Sequence, residues 1–140
     1  MDLLTLESHQ IIKMKILLSV LLLPALTYAQ QKGDNTIIIP KVTMDQAVKV
    51  FMDHGYIIGA ATSEVVTTIP KKTPNKITII FEMQIKDSTG YLQGTYDGTQ
   101  IIPGLWEHSE SYAGHYKGGS FKIMDNLAKS FGQTVTYSIL

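Results

Sequence analysis

KITIIFEMQIK, residues 76–86, alternates between apolar and polar side chains more regularly than any other stretch of the chain. Its even positions are polar except for Ile80, and its odd positions form an apolar set: Ile77, Ile79, Phe81, Met83 and Ile85. Because successive strand residues point to opposite faces, the pattern predicts a β-strand with one buried face and one wet face. The buried face of such a sheet needs a covering layer.

The residues before this strand predict a first strand and a helix. The β-branched run at 36–39 indicates a strand that ends at Pro40. Thr43 and Gln46 have the spacing of a capping box at the start of a helix, and Gly55 is suited to end it. The apolar stripe of this helix comprises Met44, Ala47, Val48 and Phe51.

More strands and a second helix surround the central strand. Strands are predicted at residues 56–61, 65–69, 91–96 and 135–139. Turns are predicted at Asp87-Ser88-Thr89-Gly90 and at Asp97-Gly98. Residues 103–119 follow no regular period. A helix capped by Ser120 and stopped by Gly132 follows, with the stripe Phe121, Met124, Leu127, Ala128 and Phe131. The order β-α-β-β-β-β-α-β predicts an α+β fold: a single antiparallel β-sheet with two helices packed on one face.

The first 29 residues have the pattern of a cleavable signal peptide. Lys13 and Lys15 precede an apolar run of 11 residues at 16–26, whereas a membrane-spanning helix needs about 20. Thr27 and Ala29 are the small residues that signal peptidase accepts, so the predicted cut follows Ala29. Met14 serves equally well as the start of this leader. The remaining 111 residues, 30–140, then form one exported α+β domain, periplasmic or extracellular.

The order of elements and the stretch HGYIIGAATSEVVTTIP, residues 54–70, resemble small exported bacterial domains of the BamC-like type. The resemblance extends over about residues 36–131 and implies a helix-on-sheet fold related to the TATA-binding-protein topology. It further implies a non-catalytic domain that presents its surface to other envelope proteins. The chain departs from that family at Gln30, which stands where a lipid-bearing cysteine would follow the cut. We therefore expect no lipid anchor.

Charge and composition narrow the range of partners. Residues 30–140 contain ten lysines and ten carboxylates, and the sequence has no arginine and no cysteine. Nucleic-acid binders need a basic surplus and rely on the planar guanidinium of Arg, so no nucleic-acid partner is expected. Without disulfides, the domain must be held by its own core. No nucleophile elbow or phosphate loop is present, so we predict no catalytic residue and no enzyme.

WEHSESYAGHY, residues 106–116, is the segment richest in functional side chains. Tyr and Trp combine an apolar body with a polar tip, which suits wet binding surfaces. The candidate binding residues are Trp106, Tyr112, Tyr116, Tyr91 and Tyr96. His108, Glu110 and His115 are of types that zinc accepts, but their spacing matches no zinc motif. On a helix, the two histidines would lie two turns apart. We expect solvated histidines, no metal site and no cofactor.

These observations predict a non-catalytic exported binding or interaction module of the bacterial envelope or secretome. Its expected partner is another envelope or extracellular protein. The alternative is a carrier that holds a small apolar ligand between sheet and helices, and a metal-dependent enzyme ranks below both. A deep apolar pocket would favour the carrier, and convergence of His108, Glu110 and His115 would favour a metal site.

The leader predicts the first residue of the exported protein. We expect the protein recovered outside the cytoplasm to begin at Gln30, because Thr27 and Ala29 are the only well-placed small pair after the apolar run. Intact-mass spectrometry of that protein measures this directly. Full-length chain retained in the membrane fraction would contradict it.

Overall fold

The computed structural model describes residues 30–110 and 114–140. The predicted leader lies outside these residues, together with its cleavage motif and the alternative start at Met14, and so does Tyr112. The described chain has two helices and a mostly antiparallel sheet. The predicted α+β fold class is therefore confirmed.

The helices and strands have the following bounds. The helices are α1 (Met44–Asp53) and α2 (Gly119–Lys129). The strands are β1 (Thr36–Pro40), β2 (Ile58–Ala61), β3 (Val65–Thr68), β4 (Lys71–Lys72), β5 (Thr78–Lys86), β6 (Thr89–Tyr96), β7 (Thr99–Gln100), β8 (Trp106–Ser109), β9 (Gly114–Lys117) and β10 (Thr136–Ser138). Among the described residues, neither helix is long and apolar enough to cross a membrane.

The main sheet has the strand order β10-β1-β6-β5-β3-β2, with β4 paired to β5 and β7 paired to β6. Its longest ladder joins β5 to β6, from Ile79 opposite Tyr96 to Lys86 opposite Thr89. Asp87 and Ser88 alone form the connecting loop, and both have positive φ (51° and 59°). Such two-residue turns match the twist of the paired strands. The turn is thus where it was predicted but shorter, because Thr89 and Gly90 belong to β6.

Both helices cover the same face of the main sheet. Helix α1 packs over β2 and β3, and α2 packs over β6 and β1. The side chains that fill the space between the layers are at most 2% exposed and include Ile37, Ile39, Phe51, Phe81, Met83, Leu92, Met124 and Leu127. The predicted apolar faces of the central strand and of both helices are thus confirmed. The opposite face of the sheet, here called the open face, carries the polar residues of β5.

The signals at the helix ends are mostly confirmed. Thr43 Oγ1 accepts a hydrogen bond from the Gln46 amide (3.3 Å), and Gln46 Oε1 accepts one from the Thr43 amide (3.0 Å). This is the predicted capping box, which satisfies amide groups that the helix leaves free. Gly55 and Gly132 follow the two helices with φ of 75° and 73°, a conformation that glycine adopts without strain.

The closing strand β10 is fastened to α2 through a buried carboxylate. The Tyr137 hydroxyl donates to Asp125 Oδ1 at 2.6 Å, and the Lys129 ammonium pairs with the same carboxylate. Burial raises the pKa of the Tyr137 hydroxyl, and its hydrogen bond to Asp125 adds to the increase. The hydrogen bond to Asp125 likewise raises the pKa of Lys129. Both groups carry their protons at neutral pH even at their ordinary pKa, and the upward shifts extend this state to more alkaline pH.

Residues 103–119, predicted to be irregular, contain a second sheet that consists of β8 and β9. The buried positions of β8 are Glu107 and Ser109, each 1% exposed, and its exposed positions are Trp106 and His108. The usual polarity of a strand is reversed here. Three of the four residues of β8 are polar, and both buried positions are polar, so the strand has no apolar alternation from which the hairpin could be predicted.

Gly94 allows the closest approach in the core. It lies opposite Phe81 in the β5–β6 ladder. A Cβ at this position would stand 2.7 Å from Phe81 Cδ1 and 2.9 Å from Ile101 Cδ1. Contacts this short force buried rings and methyl groups to move. The packing of Phe81 against β6 therefore requires glycine at position 94.

We expect Gly94→Ala to lower the free energy of unfolding by about 1–3 kcal/mol through overpacking. Urea denaturation measured by circular dichroism gives this difference as a fall in the midpoint. The matched control is Gly114→Ala, since Gly114 is also in a strand but a Cβ there meets nothing within 4 Å. Equal effects of the two substitutions would contradict the close-packing argument.

Candidate functional site

The β8–β9 hairpin has two chemically different faces. Its cross-strand pairs are Trp106 with Lys117, Glu107 with Tyr116, His108 with His115, and Ser109 with Gly114. The first and third pairs are exposed and form what is here called the outer face: Trp106, His108, His115 and Lys117. The other two pairs point toward the body of the domain and form the inner face.

Hydrogen bonds hold the hairpin to three separate segments of the domain. Ser109 Oγ donates to the Asn75 carbonyl at 2.6 Å, just before β5. The Tyr96 hydroxyl, at the end of β6, donates to the Trp106 carbonyl at 3.3 Å. Glu107 Oε1 accepts from the Ser120 amide at 2.6 Å, at the start of α2. The hairpin is therefore a positioned part of the domain, and its outer face is presented in one orientation.

The predicted cap of α2 is wrong. The residue at the cap position is Gly118, with φ of 69°, and it offers no side chain. Ser120 is instead inside the helix and buried, and its hydroxyl has no hydrogen-bond partner among the residues that the structure describes. The carboxylate of Glu107 takes the place of a local cap. It accepts a hydrogen bond from an amide of the first turn that has no acceptor within the helix, and it lies at the positive end of the helix dipole. Because this cap comes from a strand and not from the start of the helix itself, no local spacing of residues in the sequence reveals it.

The outer face exposes the only tryptophan of the chain. Trp106 is 61% exposed, and the Lys117 ammonium lies 5.9 Å from the centre of its ring. His108 and His115 stand opposite each other, with ring centres 5.3 Å apart and an angle of 66° between the rings. On a helix, the two histidines would lie two turns apart. On this hairpin, they are neighbours.

The other predicted binding residues do not join Trp106. Tyr91 lies opposite Gln84 on the open face of the main sheet, away from the helices. Tyr96 is on the helix side of β6, where its hydroxyl supports the backbone of Trp106. Tyr116 is half-buried on the inner face, and Tyr112 is outside the described residues. Of the five aromatic residues, Trp106 is the one that the described structure presents to solvent on the hairpin.

The basic side chains near Trp106 border an open cleft of about 390 Å³. Its lining comprises Gln30, Gln31, Lys32, Pro103, Gly104, Trp106 and Lys117. Two lysines and no carboxylate are among these residues. The cleft therefore has a positive lining next to a large apolar ring, a combination that attracts a partner with acidic and apolar groups.

The described residues contain no group of three or more His, Cys, Asp and Glu side chains that would hold a metal ion. The predicted alternative of a triad of His108, Glu110 and His115 is therefore not formed there. What the fold brings together is the histidine pair alone.

A ligand between sheet and helices would need space that the core side chains occupy. Phe51, Phe81 and Met124 are fully buried in that layer, and Tyr56 stacks edge-on against Phe81 with ring centres 5.1 Å apart. A cleft of about 280 Å³ lies instead on the open face, and its lining includes Thr67, Glu82, Gln93 and Thr95. This lining is more polar than the enclosed apolar pockets of small-molecule carriers.

No protein-family model, no curated protein and no solved structure matches this chain. The resemblance to BamC-like domains stays a prediction.

The long-range cap makes a testable contribution to stability. We expect Glu107→Ala to lower the free energy of unfolding by about 2 kcal/mol, because it leaves the buried Ser120 amide without an acceptor. Glu107→Gln keeps an acceptor oxygen and should lose less. Glu82→Ala is the matched control, since Glu82 is exposed on a strand of the main sheet. Chemical denaturation of the three variants ranks them, and an unchanged midpoint for Glu107→Ala would refute the cap.

Proposed function

We propose that the protein is a non-catalytic, exported binding module that uses the outer face and the adjoining cleft to hold an acidic segment of another envelope or extracellular protein. One observation carries this proposal. A tryptophan that is 61% exposed stands on a hairpin that is hydrogen-bonded to β6, to α2 and to Asn75 in the turn before β5.

An exposed tryptophan on a fixed scaffold has the properties of an interface anchor. Trp is enriched among the residues that dominate protein–protein binding, because it buries a large area at a small cost in side-chain entropy. The anchoring of Glu107 and Ser109 means that little backbone order remains to be lost on binding. A pre-ordered Trp106 therefore offers a partner more net binding energy than the same residue on a loose loop.

The charges beside Trp106 indicate the chemistry of the partner. Lys117 and Lys32 line the cleft, and no carboxylate is among the described residues that line it. In a partner segment that carries Asp or Glu next to an apolar residue, the carboxylate would pair with the lysines and the apolar residue would pack on Trp106. Charge attraction of this kind mainly speeds association and weakens as salt is added.

A carrier of a small apolar ligand is less well supported by the geometry. Carriers enclose most of the ligand in an apolar cavity. Here, the layer between the sheet and the helices is filled by side chains that are at most 2% exposed, including Phe51 and Phe81. The surface tryptophan and the cleft beside it favour binding at the exterior.

Replacement of Trp106 tests the proposal. Tagged protein is used to capture partners from an envelope extract of the organism that encodes it, and the captured protein is then titrated against purified variants. We expect Trp106→Ala to weaken binding at least about 30-fold, which corresponds to roughly 2 kcal/mol, and to leave the melting temperature unchanged. Lys117→Gln should slow association and reduce its dependence on salt.

The matched control is Ile57→Ala. Ile57 is 64% exposed, as much as Trp106, but lies between α1 and β2, directly before Ile58. Binding that survives Trp106→Ala, or that falls equally in Ile57→Ala, would refute the proposed surface. Capture of a nucleic acid or a polysaccharide in place of a protein would also refute it.

A further inference from the structure

We propose that His108 and His115 form a two-imidazole chelate for a divalent transition-metal ion, with Cu²⁺ bound most tightly. The site can form without the proposed protein partner, because both of its ligands belong to the hairpin. It rests on the pairing of the two residues in the β8–β9 ladder and on the distance between their rings.

The register of the hairpin puts the two histidines at the closest kind of cross-strand position. The Gly118 amide donates to the Leu105 carbonyl at 2.6 Å, which makes Leu105 and Gly118 a hydrogen-bonded pair. Hydrogen-bonded and non-hydrogen-bonded pairs alternate along an antiparallel ladder. His108 and His115 are three residues further along, so they form a non-hydrogen-bonded pair. In such pairs, the Cα atoms are about 4.5 Å apart and the side chains are nearest each other.

The separation of the rings suits a shared ion. Because a bond from metal to imidazole nitrogen is about 2.0–2.1 Å long, two rings that share one ion at an angle of about 90–110° have centres roughly 4.5–5 Å apart. The observed separation is 5.3 Å, with the rings inclined at 66°. A small rotation of the exposed side chains closes the difference. The backbone pairing therefore holds two ligands near the required distance before any ion arrives.

The ligand set decides which ion is preferred. Two imidazoles leave the other positions of the ion to water, since no third His, Cys, Asp or Glu joins the pair within the described part of the chain. Imidazole suits Cu²⁺, Ni²⁺ and Zn²⁺, and a site that does not enforce its own geometry follows the general order of affinity, with Cu²⁺ above Ni²⁺ and Zn²⁺. An exposed pair with free coordination positions imposes no such geometry.

Trp106 provides a direct reporter of the ion. It is the only tryptophan of the chain and lies on the same outer face as His108, two residues away along β8. Cu²⁺ is paramagnetic and quenches the fluorescence of a nearby indole, whereas Zn²⁺ does not. Quenching of the intrinsic emission by Cu²⁺ therefore measures occupation of a site close to this face.

The test is a titration of the untagged full chain with CuCl₂, with quenching and isothermal calorimetry as readouts. His9 is replaced by Ala in every sample, so that three of the four histidines remain: His54, His108 and His115. We expect one Cu²⁺ per chain, bound more tightly than Zn²⁺. His108→Ala and His115→Ala should each weaken binding by more than about tenfold, or 1.4 kcal/mol. The double variant should bind more weakly than either single one, because each single variant still offers one imidazole to the ion.

The control variant is His54→Ala. Both ring nitrogens of His54 already have partners, since Nδ1 lies 2.8 Å from the Val50 carbonyl and Nε2 lies 2.9 Å from Ser130 Oγ. Its replacement should leave Cu²⁺ affinity unchanged. Electron paramagnetic resonance adds a structural readout, with coupling to two nitrogens in the parent and to one in each single variant. His108→Gln and His115→Gln replace the alanine variants if those melt at lower temperature without metal.

Three results would overturn the site: equal affinity of the parent and the double variant, loss of binding in His54→Ala, or coupling to a single nitrogen in the parent. None of these measurements involves a partner protein. Failure of the chelate would therefore leave the proposed binding surface standing, and failure of the partner experiment would leave the chelate standing.

Discussion

The pairing of β5 with β6 is the constraint on which the rest of the structure depends. This ladder is the longest in the sheet and places Phe81 directly over Gly94. It thereby assembles one apolar layer from Phe81, Met83 and Leu92, all fully buried. Exposure of that layer to water is unfavourable in proportion to its area. The two helices must therefore lie on the same face, and the strands β1 and β3 extend the layer to either side.

The carboxylate of Glu107 connects the hairpin to the layer of helices. Burial of a carboxylate is unfavourable unless the carboxylate accepts hydrogen bonds. Glu107 can therefore be buried only beside a hydrogen-bond donor. The first turn of α2 provides that donor in the Ser120 amide. Because α2 is fixed by its own apolar stripe on the sheet, the position of the hairpin follows from the core. The side chains of the inner face thus contact the rest of the domain. Those of the outer face are exposed, so they can serve binding without a change in the core.

Trp106 and the histidine pair share the outer face, so their chemistry is linked. An ion held by His108 and His115 adds positive charge beside Trp106 and Lys117. An acidic partner that supplied a carboxylate to the open coordination positions would raise the affinity for the ion. By thermodynamic linkage, the ion would raise the affinity for that partner by the same factor. The two proposed activities would then reinforce each other at one surface.

By itself, the sequence determined the elements whose signals are local: the alternating apolar face of β5, the capping box of Thr43 and Gln46, and the glycines that follow both helices. Only the tertiary structure decided the site. The sequence predicts Ser120 as the helix cap and has no pattern that marks Glu107 as the residue in that role, because a cap that crosses from strand to helix has no fixed spacing. His108 and His115 are seven positions apart in the chain, and only strand pairing makes them neighbours. Local patterns encode secondary structure, whereas the contacts between distant residues that create a site exist only once the chain has folded.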